Sequence, residues 1–320
     1  MSNRRAFVVG AYLPNGGTYM AYHLGCILQR DFGIPAVAVQ MGSETRDNGV
    51  HAYAVDMPML SREAMEREVA ADDILIVNPS FSPHQFGWRL PGFKISYVQD
   101  FKTFQLLDRR LDHYVAVSDF VAAFLRTVYG LETAVIPPFV DLDLVASMDA
   151  PEWAARPPHR VATYRKGMPE VWDLSYRRLR ELVAGRAPHI VFAEPLAAGH
   201  VPQPKLLAHL GAARYFVTLS AAEGFGLVPL EAMALGTVVV GYDAFGGRHY
   251  LRSGENSLVA PYPDIDRVAE MLIAADADPT RSASIAAQGR ATATHYSYAA
   301  FREKWIGEFS RVLRQEPLAG

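Results

Sequence analysis

The chain has few of the residues that build cross-linked or metal-centred sites. Its 320 residues include one cysteine, Cys26, which excludes an intramolecular disulfide and every multi-cysteine zinc site. Cys26 lies among Leu24, Ile27 and Leu28, the setting of a buried helix residue rather than of a nucleophile. The ten histidines show no His-Glu-x-x-His spacing, so no metal site is expected from them. Net charge is small: 31 Lys and Arg against 34 Asp and Glu leave a formal charge of −3, no footprint for nucleic acid. No apolar run approaches the roughly 20 residues that span a bilayer. Met1-Ser2-Asn3-Arg4-Arg5 passes straight into a short apolar strand without a secretory h-region, so a cytoplasmic protein is expected. The Gly-x-Gly-x-x-Gly dinucleotide fingerprint, the Gly-Lys-Ser/Thr phosphate loop and the Gly-x-Ser-x-Gly elbow are missing too.

What is present suits packed α/β domains. Half the residues are hydrophobic and 20% are charged, and the length accommodates two domains of ordinary size. Strand-like runs at Ala6–Val9, Ala36–Gln40, Ile74–Val77, Ile95–Val98, Tyr114–Ser118 and Ala134–Ile136 alternate with helix-period stretches at Tyr19–Arg30, Arg62–Ala70 and Phe120–Tyr129. Such alternation implies right-handed βαβ units and a parallel sheet covered on both faces. From Val145 to His159 the pattern lapses into Met148-Asp149-Ala150-Pro151 and Arg156-Pro157-Pro158-His159, a linker-like composition. It then restarts with strands at Val161–Tyr164, Ile190–Ala193, Tyr215–Leu219, Val238–Gly241 and Leu258–Ala260, and helices between them. Two Rossmann-like βαβ domains follow, residues 1–150 and 151–296, with a last helix inside 297–320. A ligand cleft is expected near the C-terminal ends of the strands.

The most specific signal is at 215–236. A buried-strand pattern, Tyr215 to Ser220, runs into Glu223-Gly224-Phe225-Gly226-Leu227 and then into the apolar helix of Glu231-Ala232-Met233-Ala234. Glycines on both sides of Phe225 allow close backbone approach, and the helix start offers unpaired N–H groups. Two glutamates separated by seven residues flank this turn. As solvated surface residues they would carry no function, but strand, glycines and spacing together favour carboxylates that hold hydroxyl pairs of a ribose and a sugar. Three further segments fall at strand ends. Gly16-Gly17 opens a helix after the first strand and suits phosphate or an incoming sugar. Arg165-Lys166 follows the first strand of the second domain, where a guanidinium fork and a point charge could neutralise a diphosphate. Asp100 ends the Ile95–Val98 strand of the first domain, either facing the cleft or capping a helix. Asp141-Leu142-Asp143 reads as a turn and cap without metal. His84 is read as a loop histidine, and Arg177, Arg178, Arg180 and Arg186 as a solvated helix face with at most peripheral membrane contact.

The Glu223–Glu231 spacing in this context resembles the signature of retaining, nucleotide-sugar-dependent glycosyltransferases of the GT-B fold, the large Glu-x7-Glu family. Gln99-Asp100-Phe101 looks more like its rhamnosyltransferase-like branch. The resemblance extends in order through the glycine loop, Val117-Ser118-Asp119, Ile136-Pro137-Pro138 and the Arg-Lys turn. Two departures stand out: the Arg and Lys are adjacent rather than spaced, and only one good strand falls between Leu182 and Tyr215, where relatives commonly fit another βα unit. The resemblance implies an N-terminal acceptor domain, a C-terminal donor domain and a last helix crossing back to the first. It implies Glu223, Asp100, Arg165 and Lys166 as catalytic residues. Glu231, Gly16, Gly17, Gly224, Phe225, Gly226 and Leu227 would bind the donor. No cofactor and no metal is expected. The donor would be a nucleoside-diphosphate sugar, and the acceptor a glycan, a lipid-linked sugar or a small molecule. Two other readings share the ribose-holding glutamate. A sugar-nucleotide epimerase would change the donor with no acceptor present; a non-catalytic sugar-nucleotide-binding protein would bind it without turnover.

Overall fold

The strands are apolar at nearly every position, not at alternate ones: Ala-Phe-Val-Val, Ile-Leu-Ile-Val and Val-Val-Val-Gly-Tyr are buried along their whole length. That is the mark of parallel sheets packed on both faces. The computed structural model describes residues 4–102, 104, 106–197 and 201–314. They divide into two compact units: one takes the described residues up to Pro138 and those from Ala299 on, the other Phe139–Tyr298.

The first unit holds a seven-stranded parallel sheet in the order β3-β2-β1-β4-β5-β6-β7. Its strands are β1 (Ala6–Val9), β2 (Ala36–Gln40), β3 (Met59–Ser61), β4 (Ile74–Val77), β5 (Phe93–Val98), β6 (His113–Ala116) and β7 (Ala134–Val135). The helices between them are α1 (Gly16–Phe32), α2 (Arg62–Glu68), α3 (Phe86–Arg89) and α4 (Asp119–Phe124). The helix expected over 120–129 is α-helical only to Phe124. Leu125–Tyr129 form a π turn that ends on left-handed Gly130.

The second unit contains α5 (Leu142–Ser147), β8 (Arg160–Arg165), α6 (Pro169–Arg186), β9 (Val191–Phe192), β10 (Leu196–Ala197), α7 (Gln203–Gly211), β11 (Tyr215–Thr218), α8 (Leu227–Ala234), β12 (Val238–Tyr242), β13 (Leu258–Ala260), α9 (Ile265–Ala277) and α10 (Pro279–Thr294). Its parallel sheet runs β10-β8-β11-β12-β13, with β9 also on β8. Where one strand was expected between Leu182 and Tyr215, two very short ones share an edge of β8. β9 pairs with its start at Arg160 and Val161, and β10 with its end at Tyr164 and Arg165.

The division expected at 150/151 falls instead at 138/139. The Pro-rich stretch is anchored, not free. Arg156, 1% exposed, donates to the carbonyls of Pro151, Ala213 and Leu235 and to Thr237 Oγ1. A buried guanidinium with its donors satisfied holds this segment within the second unit. The last helix, α11 (Tyr298–Leu313), buries Phe301, Trp305 and Phe309, and from Ala299 it belongs to the first unit. There Tyr97 meets the Trp305 ring edge-on at 5.1 Å, Arg302 pairs with Asp31, and His113 Nε2 lies 2.6 Å from Glu308 Oε1. Among the described residues, no helix is long and apolar enough to cross a membrane.

Candidate active site

In the second unit the site is built on the C-terminal ends of β8, β11 and β12. The loop after β11 is locked to the loop after β12 backbone to backbone. Glu223 N–H donates to Ala244 O at 2.9 Å, and Gly246 N–H donates back to Glu223 O at 3.1 Å. A Cβ on Gly246 would lie 2.2 Å from Gly224 O, and one on Gly241 1.9 Å from Thr218 O. Gly226 takes φ +90°, a left-handed conformation, and caps α8 without any side-chain hydrogen bond. Its carbonyl accepts from Tyr250 OH at 2.5 Å.

These constraints aim Glu223 at Lys166, with Glu231 on α8 close enough to feel the Lys166 charge. Glu223 Oε1 accepts from Ser220 Oγ at 2.7 Å, and its Oε2 lies 3.2 Å from Lys166 Nζ. Burial alone would lower the Lys166 pKa, but the charge and hydrogen bond of Glu223 outweigh it and hold the ammonium above its ordinary value. Glu231, 6% exposed, accepts from Gln203 Nε2 at 2.9 Å. Burial pushes its carboxyl up to about 7, against the opposing pull of Gln203 and Lys166. Tyr164, Lys166, Ser220, Glu223, Gly226 and Tyr250 are among the residues that line one small, partly enclosed cavity.

The remaining expected residues of this unit are placed differently. Arg165 forks onto Asp173 of α6, at 2.8 and 2.5 Å, so of the adjacent cations Lys166 lines the cavity and Arg165 is held by a carboxylate. Phe225 is 4% exposed, its ring packed against Tyr250, Tyr296 and His249 at 5.0, 5.6 and 5.8 Å. Gly224 is buried in the loop interlock, and Leu227 is the half-buried first residue of α8. Ser220, Tyr250 and Gln203 were not anticipated. Ser220 sits three residues before Glu223, at the end of the same apolar strand pattern, and that spacing is its signal; Tyr250 and Gln203 carry no sequence signal.

The first unit brings its own expected residues together. Asn15 caps α1 by accepting from Thr18 N–H at 3.0 Å, and Gly17 O accepts from Gln99 Nε2 at 2.6 Å. A Cβ on Gly17 would meet Asn15 Oδ1, Asn78 Nδ2 and Gln99 Oε1 at 3.2–3.4 Å, so the helix start, with Gly16 beside it, is ringed by amide groups. Asp100 follows Gln99 directly and accepts from the N–H groups of Phe101 and Lys102 at 2.6 and 2.9 Å. It thus closes a turn of its own rather than capping a helix. Asp141 caps α5 through Leu144 N–H at 2.9 Å. His84 has its Nδ1 3.0 Å from the Arg62 guanidinium and its ring stacked on Phe86.

Two parallel-sheet Rossmann-like units with a helix at the C-terminal end define the GT-B class of fold. HepE from Anabaena, in complex with UDP and glucose, superposes with a TM-score of 0.75 at 13% identity, over 97% of this chain and 100% of that one. Sucrose-phosphate synthase from Thermosynechococcus elongatus gives 0.66 at 17% identity, over 97% and 99%. Residues 196–292 match the family model of glycosyl transferases group 1, and this stretch contains both Glu223 and Glu231. The lipopolysaccharide core biosynthesis mannosyltransferase LpcC of Rhizobium leguminosarum bv. viciae is 30% identical over 205 residues, 54% of this chain. The match spans 56% of that relative's length.

Proposed function

We propose that this protein is a retaining glycosyltransferase that moves a hexosyl group from a nucleoside-diphosphate sugar to an acceptor hydroxyl without a metal ion. The observation that carries the reading is the Lys166–Glu223 pair, 3.2 Å apart, on the cavity that adjoins the uncapped start of α8. Breaking the anomeric carbon–oxygen bond sends its electron pair to the departing diphosphate. An ammonium and a helix N-terminus beside that charge stabilise it as it develops. Glu223, its side chain 14% exposed, is available to hydroxyls of the transferred sugar, and Glu231 to the ribose diol. The acceptor oxygen attacks the same face, and its proton passes to a phosphate oxygen of the donor. Asp100 and the Gly16-Gly17 turn are assigned to the sugar and diphosphate side of the same reaction. Arg165 would have to leave Asp173 to take part, so its share is the smaller. The mannosyltransferase relative and the glucose-bound neighbour both support a hexose donor.

The test is consumption of UDP-glucose and GDP-mannose with a panel of acceptor sugars, read with and without EDTA. Loss of a transition-state charge partner typically costs ~100-fold or more. Lys166→Ala is expected to fall by about that factor in kcat/KM, Arg165→Ala by less than about tenfold, and EDTA is expected to leave the rate unchanged. Lys166→Ala and Glu223→Gln both within twofold of wild type would overturn the assignment.

A further inference from the structure

A second polar cluster lies at the other end of the same sheet. His159 immediately precedes β8, His189 precedes β9, and Asp276 is in the last turn of α9. His159 Nδ1 is 2.9 Å from both Asp276 oxygens, and His189 Nε2 is 2.9 Å from Oδ2. The imidazoles stand edge to face, 4.7 Å between centroids and 84° between planes. The carboxylate is 3% exposed, while the two rings are 40% and 55% exposed. One ligand atom from each residue falls within 4.8 Å of the other two. Three ligands on a tetrahedral zinc ion, at ~2.0–2.1 Å from it, lie about 3.3 Å apart, so small side-chain movements bring this trio onto one ion. His159 also holds a left-handed backbone, φ +62°.

We propose that His159, His189 and Asp276 form a binding site for a borderline divalent cation of the Zn²⁺ class, with its fourth position open to solvent. Two imidazoles and one carboxylate are donors that favour Zn²⁺, Ni²⁺ or Cu²⁺ over Mg²⁺ or Ca²⁺. On binding, each imidazole holds its proton on the nitrogen away from the metal, and the two hydrogen bonds to Asp276 give way to bonds to the ion. The site joins the starts of β8 and β9 to the end of α9, three segments far apart in sequence. It sits at the N-terminal ends of the strands, whereas the cavity with Lys166 and Glu223 sits at their C-terminal ends. Its role is therefore to brace the second unit, and its loss is read in stability rather than in donor chemistry.

Calorimetric titration of the untagged full chain with ZnCl₂, paired with thermal unfolding, tests this. One Zn²⁺ per chain is expected, with micromolar or tighter affinity and a rise in Tm of several degrees, since a ligand bound only to the native state stabilises it. Millimolar MgCl₂ should produce neither effect. His189→Ala, whose ring is exposed enough to be removed without unfolding the chain, should weaken Zn²⁺ at least tenfold, and Asp276→Asn likewise. His295→Ala, an exposed histidine elsewhere, should bind as wild type does. No saturable Zn²⁺ response at 100 µM, an equal response to Mg²⁺, or unchanged affinity in both His159→Ala and His189→Ala would overturn the proposal.

Discussion

Glu231 carries two opposed demands. Its carboxyl is buried and shifted up to about 7, yet in the proposed reaction it accepts from two ribose hydroxyls and must be ionised. Its folded pKa lies above the unfolded value, so the ionised form opposes folding. That cost is absent below the unfolded pKa near 4.5, builds as pH rises, and is complete above about 7. A shift of this size corresponds to at most about 3 kcal/mol, an order-of-magnitude figure. Glu231→Gln is therefore expected to raise Tm at pH 8 while leaving it nearly unchanged at pH 5, and to weaken nucleotide-sugar binding at pH 8 with little effect at pH 5, where the wild-type carboxyl is already neutral. Thermal melts at the two pH values, with and without donor, check this. A Tm that falls at pH 8 would mean the carboxylate is stabilised by a partner other than Gln203. In the wild type, donor affinity should decline as pH falls through 7.

At the scale of elements, the interlock between the loops after β11 and β12 sets the position of Glu223. The backbone of 223–224 meets that of 244–246 so closely that Gly246 has no room for a methyl group. Gly246→Ala should destabilise by ~1–3 kcal/mol, as overpacking does, and disturb donor binding with it. Gly185, inside α6 with nothing within 4 Å of its would-be Cβ, gives the contrast: Gly185→Ala should stabilise by ~0.5–1 kcal/mol. Urea unfolding of the two variants separates the effects. The strand–turn–helix at 215–234 was legible because apolar runs, flanking glycines and the glutamate spacing all lie in one continuous segment. β10 was not, since two residues carry no period. Nor was the Lys166–Glu223 pair, which depends on how β8 lies beside β11. Thr163 pairs with Val217, so the register carried three residues further sets Lys166 opposite Ser220. His159, His189 and Asp276 share no local pattern at all, because only the sheet and α9 bring them together.

At the scale of the whole molecule, one unit is continuous and the other is not. Residues 139–298 form the second unit in a single stretch, whereas the first is completed by α11. Trp305 is fully buried, and removing a buried Trp side chain typically costs ~3–5 kcal/mol. Trp305→Ala should therefore lower the stability of the first unit by about that amount while leaving Zn²⁺ binding at His189 intact, a separation that calorimetry can resolve. Truncation after Tyr298 should be worse, because Tyr97 and Phe32 would lose the rings of Trp305 and Phe309 that cover them.

This discontinuity also orders events as the chain is made. The ribosome delivers every residue of the second unit before it delivers the helix that finishes the first. The seven-stranded sheet, though its strands are synthesised earliest, must wait with an apolar groove uncovered until Phe301, Trp305 and Phe309 emerge. The unit that begins first is the one that closes last, so the first unit is where a chaperone would be needed.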